Sequence, residues 1–211
     1  MDPLSRQFGI RRAGDQMFGC YSIENSDSSA VDSNGRPLYS LCLGVKNSID
    51  KSLACSICFG AKIIVSEANV FSGEIAISKK HTKNIMKSLD AGIHEALSHF
   101  EVFKAYQAKL FGDLTTTFIE DNIVHDVVIK SAKMDALPYS WIKKIIQEWE
   151  NPTYATFNRR SAWSLLNTIL VVAKSSFEKN PIVASQRTIL LTSLFNQEFV
   201  VNARNPNAVG V

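Results

Sequence analysis

Long apolar runs are missing from this 211-residue chain. A membrane-spanning helix needs about 20 consecutive apolar residues, and the longest such stretch, Leu165 to Ala173, is short and interrupted by Asn167 and Thr168. Met1 to Arg12 is polar and lacks an apolar segment, so no secretory leader is expected, and the expected location is the cytoplasm. Charge of one sign is also scarce: 23 basic against 20 acidic residues leave a formal charge of +3, low for a strong nucleic-acid binder. No G-x-x-x-x-G-K-[ST] loop, G-x-G-x-x-G turn, G-x-S-x-G elbow or calcium loop occurs, so ordinary NTPase or hydrolase chemistry has no foothold. No cofactor is called for. An acidic pair, Glu67 and Glu74, is read as surface carboxylates or as neighbours across a turn.

What is present is an ordinary globular composition, 45% hydrophobic and 20% charged, with enough length for a full core. Basic residues are unevenly spread. Residues 131–211 hold nine basic and five acidic side chains, while residues 81–130 hold five and seven. A basic C-terminal third can meet phosphates, or it is a solvated helical surface.

The hydrophobic pattern changes period once. Gln16 to Ile23, Leu38 to Val45, Leu53 to Phe59, Ala61 to Ser66 and Gly73 to Ser78 read as strands, with a polar hairpin loop from Lys46 to Ser52. From Thr82 the apolar residues recur every three or four positions, through Phe100, Phe103, Tyr106 and Leu110. This predicts one long helix capped by Thr82 and ending near Gly112. Further helices are expected over Thr115–Ala132 with Phe118, Ile119, Ile123, Val127 and Val128 inward, from Trp141 to Trp149, over Ser161–Phe177, and from a Ser185 cap to about Val200. The core of this half is expected from Trp141, Ile145, Trp149, Trp163, Leu166, Ile169 and Leu170. The fold class is α+β: an N-terminal antiparallel sheet of four or five strands, then a long helix and a C-terminal helical half. The expected division is an N-terminal arm and loop over 1–37, sheet plus long helices over 38–135, a helical subdomain over 136–201 and a tail over 202–211.

Two metal-like patterns fail on geometry. In His94-Glu-Ala-Leu-Ser-His99 the second His is one residue too late to share a helix face, and His99 is placed at the flank of the core. Cys55 and Cys58 lie in a strand-like run, where residues three apart point to opposite faces. They read as buried, reduced thiols, and no metal is expected.

Two basic clusters remain. Ser78-Lys79-Lys80-His81-Thr82 stands where a strand gives way to a helix, so lysine charge and first-turn amides converge as a phosphate-binding corner. The alternative is a simple cap with solvated lysines. Asn158-Arg159-Arg160-Ser161-Ala162-Trp163 pairs guanidinium groups with Tyr154, Phe157 and Trp163, a set that suits phosphates and unstacked bases. There the alternative is a helix capped by Asn158 with Trp163 in the core.

Leu43-Gly-Val-Lys-Asn-Ser-Ile-Asp-Lys-Ser-Leu-Ala54 resembles the "l-r-N-S-h-D-g-S-l-a" hairpin of a phage and plasmid protein family of unknown function, the domain of unknown function 932. Gly60 to Asn69, Phe71-Ser-Gly-Glu74, Lys80-His-Thr82 and Ala162-Trp-Ser-Leu-Leu-Asn167 are similar to that family's later motifs, in the same order over residues 40–170. The chain departs from it at Ile49, where the family often has His, and at Ser66-Glu67, where it often has Cys-Asp. The resemblance implies a mobile-element origin and supplies no activity. On its motif positions stand Asn47, Ser48, Asp50, Ser52, Asn69, Gly73 and Glu74. The first four either shape the hairpin or, with Lys51, line a groove beside Lys79, Lys80 and His81.

The expectation from these residues is an accessory protein of phage or plasmid origin that binds single-stranded nucleic acid through Lys51, Lys79, Lys80, His81, Arg159 and Arg160. The sheet-then-helix order is similar to that of phage annealing proteins. The alternative is an inhibitor of a host defence or restriction protein, with an acidic or apolar patch around Glu120, Asp121 and Asp126. An enzyme with an unrecognised site is the third reading. A homo-oligomer is compatible with each, and no membrane partner is expected.

Overall fold

The computed structural model describes residues 6–11, 15–22, 31, 35–79, 91–92, 94–95 and 98–201, with the backbone alone for 6–11, 72–79 and 158–159. Five strands form one antiparallel meander in sequence order: β1 (Arg6–Arg11), β2 (Gln16–Ser22), β3 (Tyr39–Ser48), β4 (Cys55–Ile63) and β5 (Asn69–Lys79). Among the described residues the helices that follow are α1 (Phe100–Thr116), α2 (Asp121–Lys133), α3 (Ile142–Glu150), α4 (Ala162–Lys179) and α5 (Pro181–Asn196), with a last wide turn over Gln197–Val201. The chain is α+β, with sheet first and helices second. Among the described residues no helix is long and apolar enough to cross a membrane.

Strand register sorts the side chains by face. Tyr39, Leu41, Phe59, Ala61, Ile63 and Val70 point to the helices and enter the main core. Phe59 stacks on Phe103 of α1 at 5.0 Å, and Tyr39 meets Phe111 edge-on at 4.8 Å. Phe18, Cys20, Cys42, Cys58 and Phe71 form a second cluster with Ile182, apart from the main core. Alternation therefore puts two different cores on one sheet.

Helix α4 is the centre of the helical half. Ala162 to Leu170 is buried without interruption, and α4 contacts α1, α3 and α5. This segment is buried on every side, Ser164, Asn167 and Thr168 included, and Asn167 donates to the Trp163 carbonyl. Ile145, Trp149, Trp163, Leu166, Ile169 and Leu170 are buried as expected, whereas Trp141 is only half-buried, between Phe177 and the Arg187 guanidinium.

Several expected elements are corrected. Residues 6–11, expected as an arm, pair with β2 over their whole length. Leu53–Phe59 and Ala61–Ser66 are largely one strand, because Gly60 continues the ladder instead of breaking it. Helix α1 passes Gly112 to Thr116, and its buried face runs Phe103, Gln107, Leu110, Phe111 and Leu114, so Gln107 rather than Tyr106 points inward. It starts at Phe100 behind a turn at His99, so the expected single helix does not run unbroken through this point, and the predicted cap Thr82 lies outside the described residues. The expected Thr115 helix does not begin there. Thr115, Thr116 and Thr117 bond back to the Gly112 and Asp113 carbonyls and end α1. Phe118 then bridges to Ser161 in extended backbone, so Phe118 is 70% exposed, while Ile119 is buried. Ile123 faces outward on α2; Val127 and Val128 are buried. Ser161, not Asn158, caps α4, accepting from the Ser164 amide at 3.2 Å. Ser185 is interior to α5. The helix starts at Pro181 behind an Asn180 cap, because Pro suits the first helical position. His94 and His99 are both exposed, so His99 does not flank the core.

Candidate ligand site

The first hairpin is built by its own side chains. Ser48 Oγ accepts from the Leu53 amide at 2.9 Å and donates to the Leu53 carbonyl at 3.1 Å, closing the loop across five residues. Asp50 Oδ1 accepts from the Ser52 amide at 3.0 Å and from the Ser52 hydroxyl at 2.6 Å, an Asx turn. Gln16 on β2 donates to Ser52 Oγ at 2.6 Å, and the Ile49 amide donates to the Asp15 carbonyl at 2.7 Å. Asn47 Oδ1 accepts from the Ser48 amide. So Asn47, Ser48, Asp50 and Ser52 all bond within the hairpin or to its neighbour, which is the structural alternative for these positions. Lys51 takes left-handed backbone, φ 60°, at the exposed tip.

Register then places the basic residues. Lys79 ends β5 opposite Cys55, the first residue of β4, and so lies at the same sheet end as the Lys51 loop. Lys80 and His81 lie outside the described residues. Of Gly73, Glu74, Lys79 and Arg159 only the backbone is described. Asn69 opens β5, half-buried. Arg160 lies elsewhere. Its carbonyl accepts from Ile119, and Phe111, which packs on Tyr39 at the other sheet end, meets Trp163 three residues on. The fold therefore does not bring Arg160 to the Lys51 and Lys79 end.

Arg160 is also engaged. Its guanidinium sits 4.8 Å from the Trp149 ring centroid and donates to the Trp149 carbonyl at 3.2 Å. Asp121 accepts from Trp149 Nε1 at 2.9 Å and lies 3.6 Å from Arg160. One arginine thus ties α2, α3 and the start of α4 together.

The cysteines are all free and buried. Cys20 and Cys58 both face Gly44 across adjacent ladders, with Cys42 two residues along on the same sheet face. Cys55 points to the opposite face from Cys58, as the strand reading required. Cys42 donates to Cys20, which holds the Cys20 thiol below its ordinary pKa and the Cys42 thiol above it; burial raises Cys42 further and Lys62 opposes it. Burial pushes Cys58 up to about 12, against a partial offset from Lys46. Among the described residues no group of three or more His, Cys, Asp or Glu is placed to hold a metal ion.

Periodicity gave no warning of the cavity at the α4–α5 corner. It has a volume of about 350 Å³. Phe18, Phe71, Phe177, Pro181 and Ala184 form its apolar wall, and Glu67, Asn69, Lys174 and Glu178 its polar part. Glu67 stands in left-handed backbone in the β4–β5 turn, φ 55°, and meets Lys174 of α4 at 3.5 Å. The only linear signal is Glu67 itself, a charged residue in a tight turn. The aromatic walls come from three separate elements.

Compared with known proteins, the chain matches no protein-family model, no curated protein and no solved structure.

Proposed function

We propose that the chain is an accessory protein of phage or plasmid origin that binds single-stranded nucleic acid through the phosphates, using the sheet end that carries Lys51 and Lys79. The observation that carries this is the register: Lys79 pairs with Cys55, four residues from exposed Lys51, with Lys80 and His81 next in sequence. Lysines carried at one sheet end favour an anionic backbone without reading sequence. Arg160, bound to Trp149 and Asp121, is left out of this surface. Titrating the protein with single-stranded DNA, duplex DNA and RNA at two salt concentrations tests it. Affinity that falls steeply with salt is expected. Lys51→Glu with Lys79→Glu reduces the salt slope by about two, one for each phosphate that is no longer neutralised.

A second reading, docking on a host defence protein, is favoured by a different patch. Phe118 and Ile123 are exposed beside Glu120 and Asp126, an apolar surface with an acidic border. A flat, weak response to all three nucleic acids favours this reading.

A further inference from the structure

We propose that the cavity at the α4–α5 corner binds a small organic cation with an aromatic or alkyl body, of the arylalkylammonium class. This assignment is independent of the nucleic-acid reading and opposite to it in charge. The volume of about 350 Å³ lies at the low end for ligand sites and holds one small molecule rather than a chain segment. Phe18, Phe71 and Phe177 offer ring surface, and the Phe18 and Phe71 rings meet edge-on at 5.8 Å, so they form two walls of a corner. Ring faces carry negative potential and attract cations.

The charges at the mouth decide the sign of the ligand. Glu67 and Glu178 stand against Lys174 alone. Lys174 is already 3.5 Å from Glu67, whereas Glu178 has no ion pair among the described residues. An anion would have to displace Glu67 and sit beside Glu178. A cation meets Glu178 directly and leaves the Glu67–Lys174 pair in place. The two helix ends at the corner do not alter this balance. Asn180 caps α5 by accepting from the Val183 amide, Pro181 has no N–H, and the Asn180 amide donates to the last carbonyls of α4. Side chains are left to set the sign.

The test is a calorimetric and NMR titration of the full chain with 2-phenylethylammonium and, separately, with 3-phenylpropionate, which has a similar body and the opposite charge. Saturable binding of the ammonium with shifts of the Phe18, Phe71 and Phe177 ring signals is expected, with no competition from the carboxylate. Glu178→Gln, an exposed substitution that leaves the fold intact, raises the dissociation constant by about threefold. Glu67→Gln, which frees Lys174, raises it less. Absence of a saturable signal, equal or tighter binding of 3-phenylpropionate, or a dissociation constant unchanged in Glu178→Gln overturns the assignment.

Discussion

The ring of Phe71 lies across the backbone of Gly44, two strands away: a methyl group added at Gly44 would stand 2.7 Å from Phe71 Cε1. At Gly60 the same addition would stand 2.7 Å from Phe71 Cδ1 and 2.5 Å from the Val70 carbonyl oxygen. The two glycines therefore form the bed on which Phe71 reaches Phe18 and makes one wall of the cavity. Substituting Gly44 by Ala crowds only side chains, Phe71 and Cys58, which can turn. Substituting Gly60 by Ala also crowds backbone, which cannot. Overpacking costs typically about 1–3 kcal/mol, so Gly44→Ala is expected near the lower end and Gly60→Ala at or above the upper. Urea unfolding of both variants measures the order, and a Gly44→Ala more damaging than Gly60→Ala contradicts the packing argument.

Arg160 is expected to matter for stability. Arg160→Ala removes the stack on Trp149, the bond to its carbonyl and the Asp121 contact, at a cost of about 1–2 kcal/mol. Its φ of 53° lies in the left-handed region, so Arg160→Gly relieves backbone strain and is expected to be more stable than Arg160→Ala. Denaturation midpoints separate the three proteins. Unchanged stability in Arg160→Ala, joined to weaker nucleic-acid binding, would return Arg160 to the ligand surface.

Ser66 is buried, and its hydroxyl finds no hydrogen-bond partner among the described residues. A buried unsatisfied polar group costs about 1–3 kcal/mol. Ser66→Cys is expected to raise the melting temperature, since a thiol tolerates apolar surroundings. A lower melting temperature would mean that the hydroxyl is bonded in solution.

Alkaline pH should weaken the fold through Cys58. Burial holds this thiol at about 12 against an ordinary 9.0. The folded state keeps its proton while the unfolded chain loses one, so this contribution is whole below about pH 9 and is lost between about pH 9 and 12. Stability measured in denaturant at about pH 8 and about pH 10.5 is expected to fall more steeply for the parent chain than for Cys58→Ala. Parallel slopes would show that Cys58 ionises in the folded state at its ordinary pKa.

Local pattern alone determined the α+β class and the order of sheet and helices. The short apolar runs from Leu38 to Ser66, the alternation of Gly73 to Ser78 and the three-and-four spacing beyond them depend only on which face of an element must be dry. The same spacing identified Ile145, Trp149, Leu166 and Ile169 as core. The opposite orientation of Cys55 and Cys58 followed from strand geometry in the same way. Asp50 and Ser52 were legible as turn formers because their bonds span two residues.

What linear spacing could not hold was decided by tertiary contact. Gln107 takes the inward place beside Tyr106 because helix rotation is set by the sheet it packs on. The Thr115 helix is replaced by an extended bridge because Phe118 and Ser161 pair across forty-three residues of chain. Two basic clusters of similar sequence part company for the same reason: the Lys79 strand end stays with the hairpin, while Arg160 is drawn onto Trp149 and Asp121. The outer edge of β5 is closed by α5, where Thr188 accepts from the Phe71 amide and Thr192 donates to its carbonyl, over 117 and 121 residues of separation. The cavity beside that edge, walled by β2, β5, α4 and α5, exists only once those distant segments meet, since no segment alone encloses space.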